Sequence, residues 1–158
     1  MERGTRRRAR RPLIAAGILA PLIAAAVWMR DGRDRLPTVA LETPTGPVRV
    51  ELADTPSART KGLAGRDTLT EVDGLLLKWE SPDRHPIWMK GMRFPLDLVW
   101  LDADGRVVAA LTNVPPCLAE PCPLYEPDGS ERSVAVLEMR AGGASVHRLA
   151  SGAIVVLH

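Results

Sequence analysis

From Thr38 onward, apolar and polar residues alternate in short runs separated by turn residues, the period of strands with one wet face. Val48-Arg49-Val50-Glu51-Leu52 is the clearest run, and Thr38 to Glu42 offers it a partner strand across the turn residues Pro44 to Pro47. Gly74 to Trp79 and Leu96 to Leu101 read as mostly buried strands, with Asp97 the only charge in the second. Asp104-Gly105 predicts a tight turn, because both residues tolerate positive φ. Val107 to Leu111 then returns antiparallel to Leu96 to Leu101, and Ser133 to Met139 and Ala153 to Leu157 add two further strands. Asp54-Thr55-Pro56 predicts a helix start, a capping oxygen followed by a proline whose missing N–H costs nothing in the first turn. That helix is expected to run to about Ala64 and stop near Gly65, with a second short helix over Ala144 to Leu149. The sum is a mostly β domain, a compact sandwich, jelly-roll-like or barrel-like fold with one or two short helices.

The pattern before Thr38 is of another kind. Six arginines between Arg3 and Arg11 precede an uncharged run of 17 residues, Leu13 to Met29. Apolar residues partition into hydrocarbon while arginines stay on the cytoplasmic side, so residues 1–30 read as a signal peptide or signal anchor, with a transmembrane helix over about 13–29. Ala24, Ala25 and Ala26 offer a small-x-small cleavage site, whereas Trp28, Arg30 and Arg33 resemble the interfacial end of a retained span. Residues 31–37 form a linker and residues 38–158 a single β-rich domain, a length that supports one core. The expected location is the cell membrane, single-pass with the domain extracytoplasmic, or secreted if the leader is cleaved.

Charge divides along the same boundary. Residues 1–35 hold nine arginines against three acids, leaving twelve basic and sixteen acidic residues in 36–158. The basic pI therefore belongs to the leader, and an acidic domain lacks the electrostatic footprint for phosphate backbones, so nucleic acid is not an expected partner.

Cys117 and Cys122 sit in Pro115-Pro116-Cys117-Leu118-Ala119-Glu120-Pro121-Cys122-Pro123. In an exported chain, a local disulfide is the expected state. Four intervening residues and no evident helix N-terminus argue against a thioredoxin-like redox site. The segment His85 to Pro95 gathers His85, Trp88, Met89 and Met92, ligand types that suit Cu(I). The same residues serve equally as core filler, and neither metal nor other cofactor is expected. Ser145-Val146-His147 belongs to no recognisable nucleophile elbow.

Taken together, VRVELADTPSARTKGLAGRDTL at 48–69, GLLLKWE at 74–80, IWMKGMRFPLDLVWLDADGRVV at 87–108, VPPCLAEPCPLY at 114–125 and VLEMRAGGA at 136–144 resemble a bacterial and archaeal family, domain of unknown function 192. The resemblance covers nearly the whole domain. It implies a compact, mostly β domain often found behind an export signal, and no agreed activity. The chain departs from the family pattern at Ala64-Gly65, where Met-x is usual, and at Gly91-Met92, where Asn-Thr is usual. The first departure drops a methionine and the second a polar amide.

The matched polar positions are Arg59, Arg66, Trp88, Lys90, Asp97 and Glu138. One reading makes them ion pairs, such as Arg59 or Arg66 with Asp97 or Glu138, because charges among apolar strands need partners. A second makes Arg59, Arg66, Trp88, Met89, Lys90 and Asp97 a binding surface for a small polar ligand, a glycan or a cell-envelope protein. A third is a hydrolase-like enzyme with Asp97 and Glu138 as a carboxylate pair. A structural accessory domain would carry no pocket. Of these, the non-catalytic binding module is the principal expectation.

Overall fold

The alternation materialises as nine strands and two short helices in residues 35–157, the part of the chain that the computed structural model describes. The leader and most of the linker lie outside the described residues, and with them the anchor or signal-peptide reading. Among the described residues, no helix is long and apolar enough to cross a membrane. In chain order the elements are β1 (Thr38–Thr43), β2 (Gly46–Ala53), α1 (Pro56–Lys61), β3 (Gly74–Asp83), β4 (Ile87–Trp88), β5 (Leu96–Leu101), β6 (Val107–Val114), β7 (Leu124–Tyr125), β8 (Ser133–Arg140), α2 (Gly143–Val146) and β9 (Val156–Leu157).

Seven strands make one curled half-barrel sheet in the order β6-β5-β8-β3-β2-β1-β9. Every neighbouring pair is antiparallel except β2 and β3. A parallel pair cannot be closed by a tight turn, and here α1 and the loop after it carry the chain back. β4 and β7 pair separately as a two-stranded ribbon. Of the expected sandwich, jelly-roll-like or barrel-like forms, the mostly β domain takes a half-barrel one, a single curled sheet covered on both sides rather than two stacked sheets.

β5 shows why. All six of its residues are buried, and side chains alternate between faces along a strand. Val99 and Leu101 join Val50, Leu76, Leu137, Met139, Ala144 and Leu149 on one face. Leu98 and Trp100 join Leu75, Leu77, Val136, Leu63, Ile87 and Met89 on the other. Trp100 has no exposure, and its indole N–H donates to the His85 carbonyl at 3.1 Å, so the large apolar burial leaves no orphan donor. Helical and loop segments, α2 on the first face and the α1–β4 region on the second, supply the cover that a second sheet would have given.

The local signals act as their chemistry requires. Thr55 accepts the Ala58 amide through its hydroxyl at 3.3 Å and Pro56 opens α1. The helix ends at Lys61, earlier than Ala64, because Gly62 leaves helical geometry with φ 49°. Gly105 turns β5 into β6 at φ 75°, and a Cβ there would stand 2.1 Å from the Val155 carbonyl oxygen, so only glycine fits. The expected final strand shrinks to Val156–Leu157, and the second helix lies over Gly143–Val146 rather than Ala144 to Leu149.

Candidate functional site

A cavity of about 430 Å³ opens on the second face, bounded by α1 and the turn after it, the end of β3, and the β4–β7 ribbon. Its chemistry begins with Glu138. Odd residues of β8 point to the α2 side, so Glu138 points to the other, across from Leu75 and Leu98 in register. Its carboxyl is buried, and Oε2 has no hydrogen-bond partner among the described residues. Burial pushes the pKa up from 4.5 to about 7, and the Arg66 guanidinium opposes the rise. Gly62 is the wall beside that oxygen: a Cβ at this position would sit 3.7 Å from Oε2.

Arg66 is held elsewhere. It bonds Glu51 at 2.5 Å, with both side chains largely shielded. Glu51, Leu75 and Glu138 occupy one rung across β2, β3 and β8, so at about 4.8 Å per strand the two glutamates stand roughly 10 Å apart. Arg66 thus neutralises Glu51 and acts on Glu138 through the field alone.

Arg59 projects from α1. Its Nη1 donates to the carbonyls of Asp54 at 2.5 Å and Lys78 at 2.7 Å, and its guanidinium carbon lies 5.2 Å from the Trp79 ring centroid. Trp79 in turn stacks on His85 with centroids 3.9 Å apart. Two carbonyls and an indole therefore fix this cation in place. On the opposite wall, Lys90 bonds Glu120 at 2.6 Å and lies 5.8 Å from the Trp88 ring, which is 46% exposed. That bond and the Cys122 amide hold the Glu120 carboxyl below its usual pKa.

Of the six expected ligand-binding residues, Arg59, Trp88 and Lys90 line the cavity, whereas Arg66, Met89 and Asp97 do not. Met89 has no exposure and is core, because the residue after outward-facing Trp88 must point inward. Asp97 lies on the α2 face and accepts three backbone amides: Asn113 at 2.8 Å, Gly142 at 2.9 Å and Ala144 at 2.9 Å. It pins the end of β6 and the start of α2. Asp97 and Glu138 consequently occupy opposite faces of the sheet and form no carboxylate pair, and among the described residues neither makes the ion pair that the sequence suggested. Trp79 and Gly62 were missed as site residues, although period-two alternation in Gly74 to Trp79 places 75, 77 and 79 on one face.

The departures from the family pattern are conformational here. Gly91 has φ 71° and its carbonyl accepts the Gly65 amide at 2.9 Å, a backbone position that asparagine also tolerates. A Cβ at 91 would stand 3.3 Å from the Ala64 methyl, so the two small residues pack against each other. Cys117 and Cys122 form the expected disulfide. Among the described residues no group of three or more His, Cys, Asp or Glu side chains is placed to hold a metal.

Residues 39–157 match the family model DUF192, described as "Uncharacterized ACR". No curated protein matches the chain. A crystal structure from Sinorhizobium meliloti 1021, provisionally described as a transcription regulator, superposes with a TM-score of 0.69 at 27% identity, covering 80% of this chain and 98% of that one. A protein of unknown function from Novosphingobium aromaticivorans DSM 12444 superposes with a TM-score of 0.63 at 27% identity, covering 75% and 83% respectively.

Proposed function

Since this chain belongs to the DUF192 family, we propose its role from its own cavity: an exported or membrane-anchored domain that binds a small hydroxylated anion. The observation that carries this reading is the buried, unpartnered Oε2 of Glu138 at the cavity wall. A buried polar atom left without a partner costs free energy, and a ligand hydroxyl or amine that bonds it recovers that cost.

Arg59 serves the other end of the ligand. Two carbonyls occupy its Nη1, leaving Nε and Nη2 as donors, and no described carboxylate lies in ion-pair range of it. A guanidinium already oriented loses little entropy when it binds an anion. The exposed Trp88 ring adds an apolar face to the cavity lining, and 430 Å³ lies within the usual range of small-molecule sites. A sugar acid has all three features.

Location rests on the leader pattern, Arg-rich then apolar, and a disulfide fits an oxidising compartment. Protease added to spheroplasts tests this: the domain is expected to be digested, and full protection would refute it. The regulator description of the Sinorhizobium protein gains no support from charge, since residues 36–158 are acidic.

For the ligand class, the full chain is titrated with glucuronate, glucose 6-phosphate and neutral glucose while tryptophan emission is followed. Both anions are expected to give a saturable change, and Arg59→Ala or Glu138→Gln to weaken it by about tenfold, on the order of 1.4 kcal/mol. A flat response to both anions would sink the proposal.

A further inference from the structure

The ribbon wall of the cavity is anchored by the core residues Ile87 and Met89 and, on its outer side, by the short disulfide-closed loop. The Cys117 amide donates to the Met89 carbonyl at 3.0 Å, in a parallel bridge that sets Cys117 beside Lys90. Glu120, inside the ring closed by Cys117 and Cys122, bonds the Lys90 ammonium at 2.6 Å and accepts the Cys122 amide at 3.1 Å. Immediately after the ring, Leu124–Tyr125 pairs with Ile87–Trp88. Ile87, Trp88, Lys90 and Leu124 all line the cavity.

Each of these ties depends on the ring keeping its shape. The β4–β7 pairing is only two residues long and lies outside the main sheet, and a two-stranded ribbon is marginal by itself. The loop is open to solvent: Leu118 is 94% exposed, residues 119 to 121 are exposed, and both cysteines are half-buried. A reductant therefore has access to the sulfur atoms without unfolding the sheet.

We propose that Cys117–Cys122 is a reducible clasp, a site of thiol–disulfide exchange with a dithiol reductant that loosens the cavity wall. The thiolate of the reductant attacks one Sγ, the S–S bond breaks and a mixed disulfide forms. The second thiol of the reductant then displaces it. The reductant leaves as a disulfide, and two electrons and two protons end on Cys117 and Cys122 as thiols. The opened ring no longer fixes Glu120 against Lys90 or Cys117 against Met89, so residues 87–92 and 117–125 lose order together. This rests on the cavity being the functional site, but the clasp itself is measured without any ligand.

Hydrogen exchange of the full chain is followed by mass spectrometry before and after dithiothreitol, and in the Cys117→Ser/Cys122→Ser double variant. Peptides over 87–92 and 117–125 are expected to exchange at least about tenfold faster in both reduced and double-variant chains, with β5 and β8 unchanged. Glu120→Gln, which keeps the disulfide and weakens the Lys90 tie, is expected to speed exchange at 87–92 alone. Unchanged exchange at 87–92 on reduction overturns the clasp, as does loss of protection across the whole sheet. Retained clasp behaviour with no response to sugar acids would leave the clasp standing and remove only the ligand class.

Discussion

Glu138 carries a free energy as well as a contact. Its folded pKa, about 7, is above the value of 4.5 expected without burial, so between those limits the folded state holds a proton that the unfolded state releases. This group therefore favours folding most below pH 4.5, and stability falls as pH rises to 7, then levels off. The difference is on the order of 3 kcal/mol. Glu138→Gln is expected to flatten that slope in urea midpoints measured from about pH 5 to 8. An unchanged slope would mean that another group titrates. Asp97 makes the contrasting case: with three amide donors on a buried carboxylate, Asp97→Ala should cost about 3 kcal/mol or more in denaturant unfolding. Met89→Ala, in the core, is expected to cost about 2–5 kcal/mol, and neither loss should exceed what unfolding alone removes from ligand titrations.

At the scale of elements, the helix start at Thr55-Pro56 was legible because the cap is a local signal, and Thr55→Ala should lower stability by about 1 kcal/mol, read as a shifted thermal midpoint. The Asp104-Gly105 turn and the β5–β6 pairing were legible for the same reason. The β4–β7 ribbon was not, because two residues on each side leave no period to read, and its partners stand far apart in sequence. Nor does the parallel pairing of β2 with β3 show in local pattern, since neither strand differs by itself from an antiparallel one. Residue type marked Asp97 and Glu138 as special, yet their separation onto opposite faces follows from the β5–β8 register, which pairs Asp97 with Met139 and Leu98 with Glu138. Residue type alone could not pair or separate them, because one residue of register decides the face.

For the whole molecule, a single sheet covered on both faces explains how a small domain builds a cavity with a buried carboxyl. One face is sealed by α2 and held by Asp97, while the other is covered by loops that leave room beside Gly62. Alternation with turn signals was enough to read a mostly β domain, and motif order its family. The cavity depends on a curl and a loop path that no local signal encodes. The most direct test follows the Glu138 side-chain carboxyl by carbon NMR through a pH titration, with and without glucuronate. The free chain should titrate near pH 7, and glucuronate should lower that midpoint, because a hydroxyl donating to the carboxylate favours its charged form. A midpoint near 4.5, indifferent to glucuronate, would contradict both the buried orphan carboxyl and its role as the ligand contact.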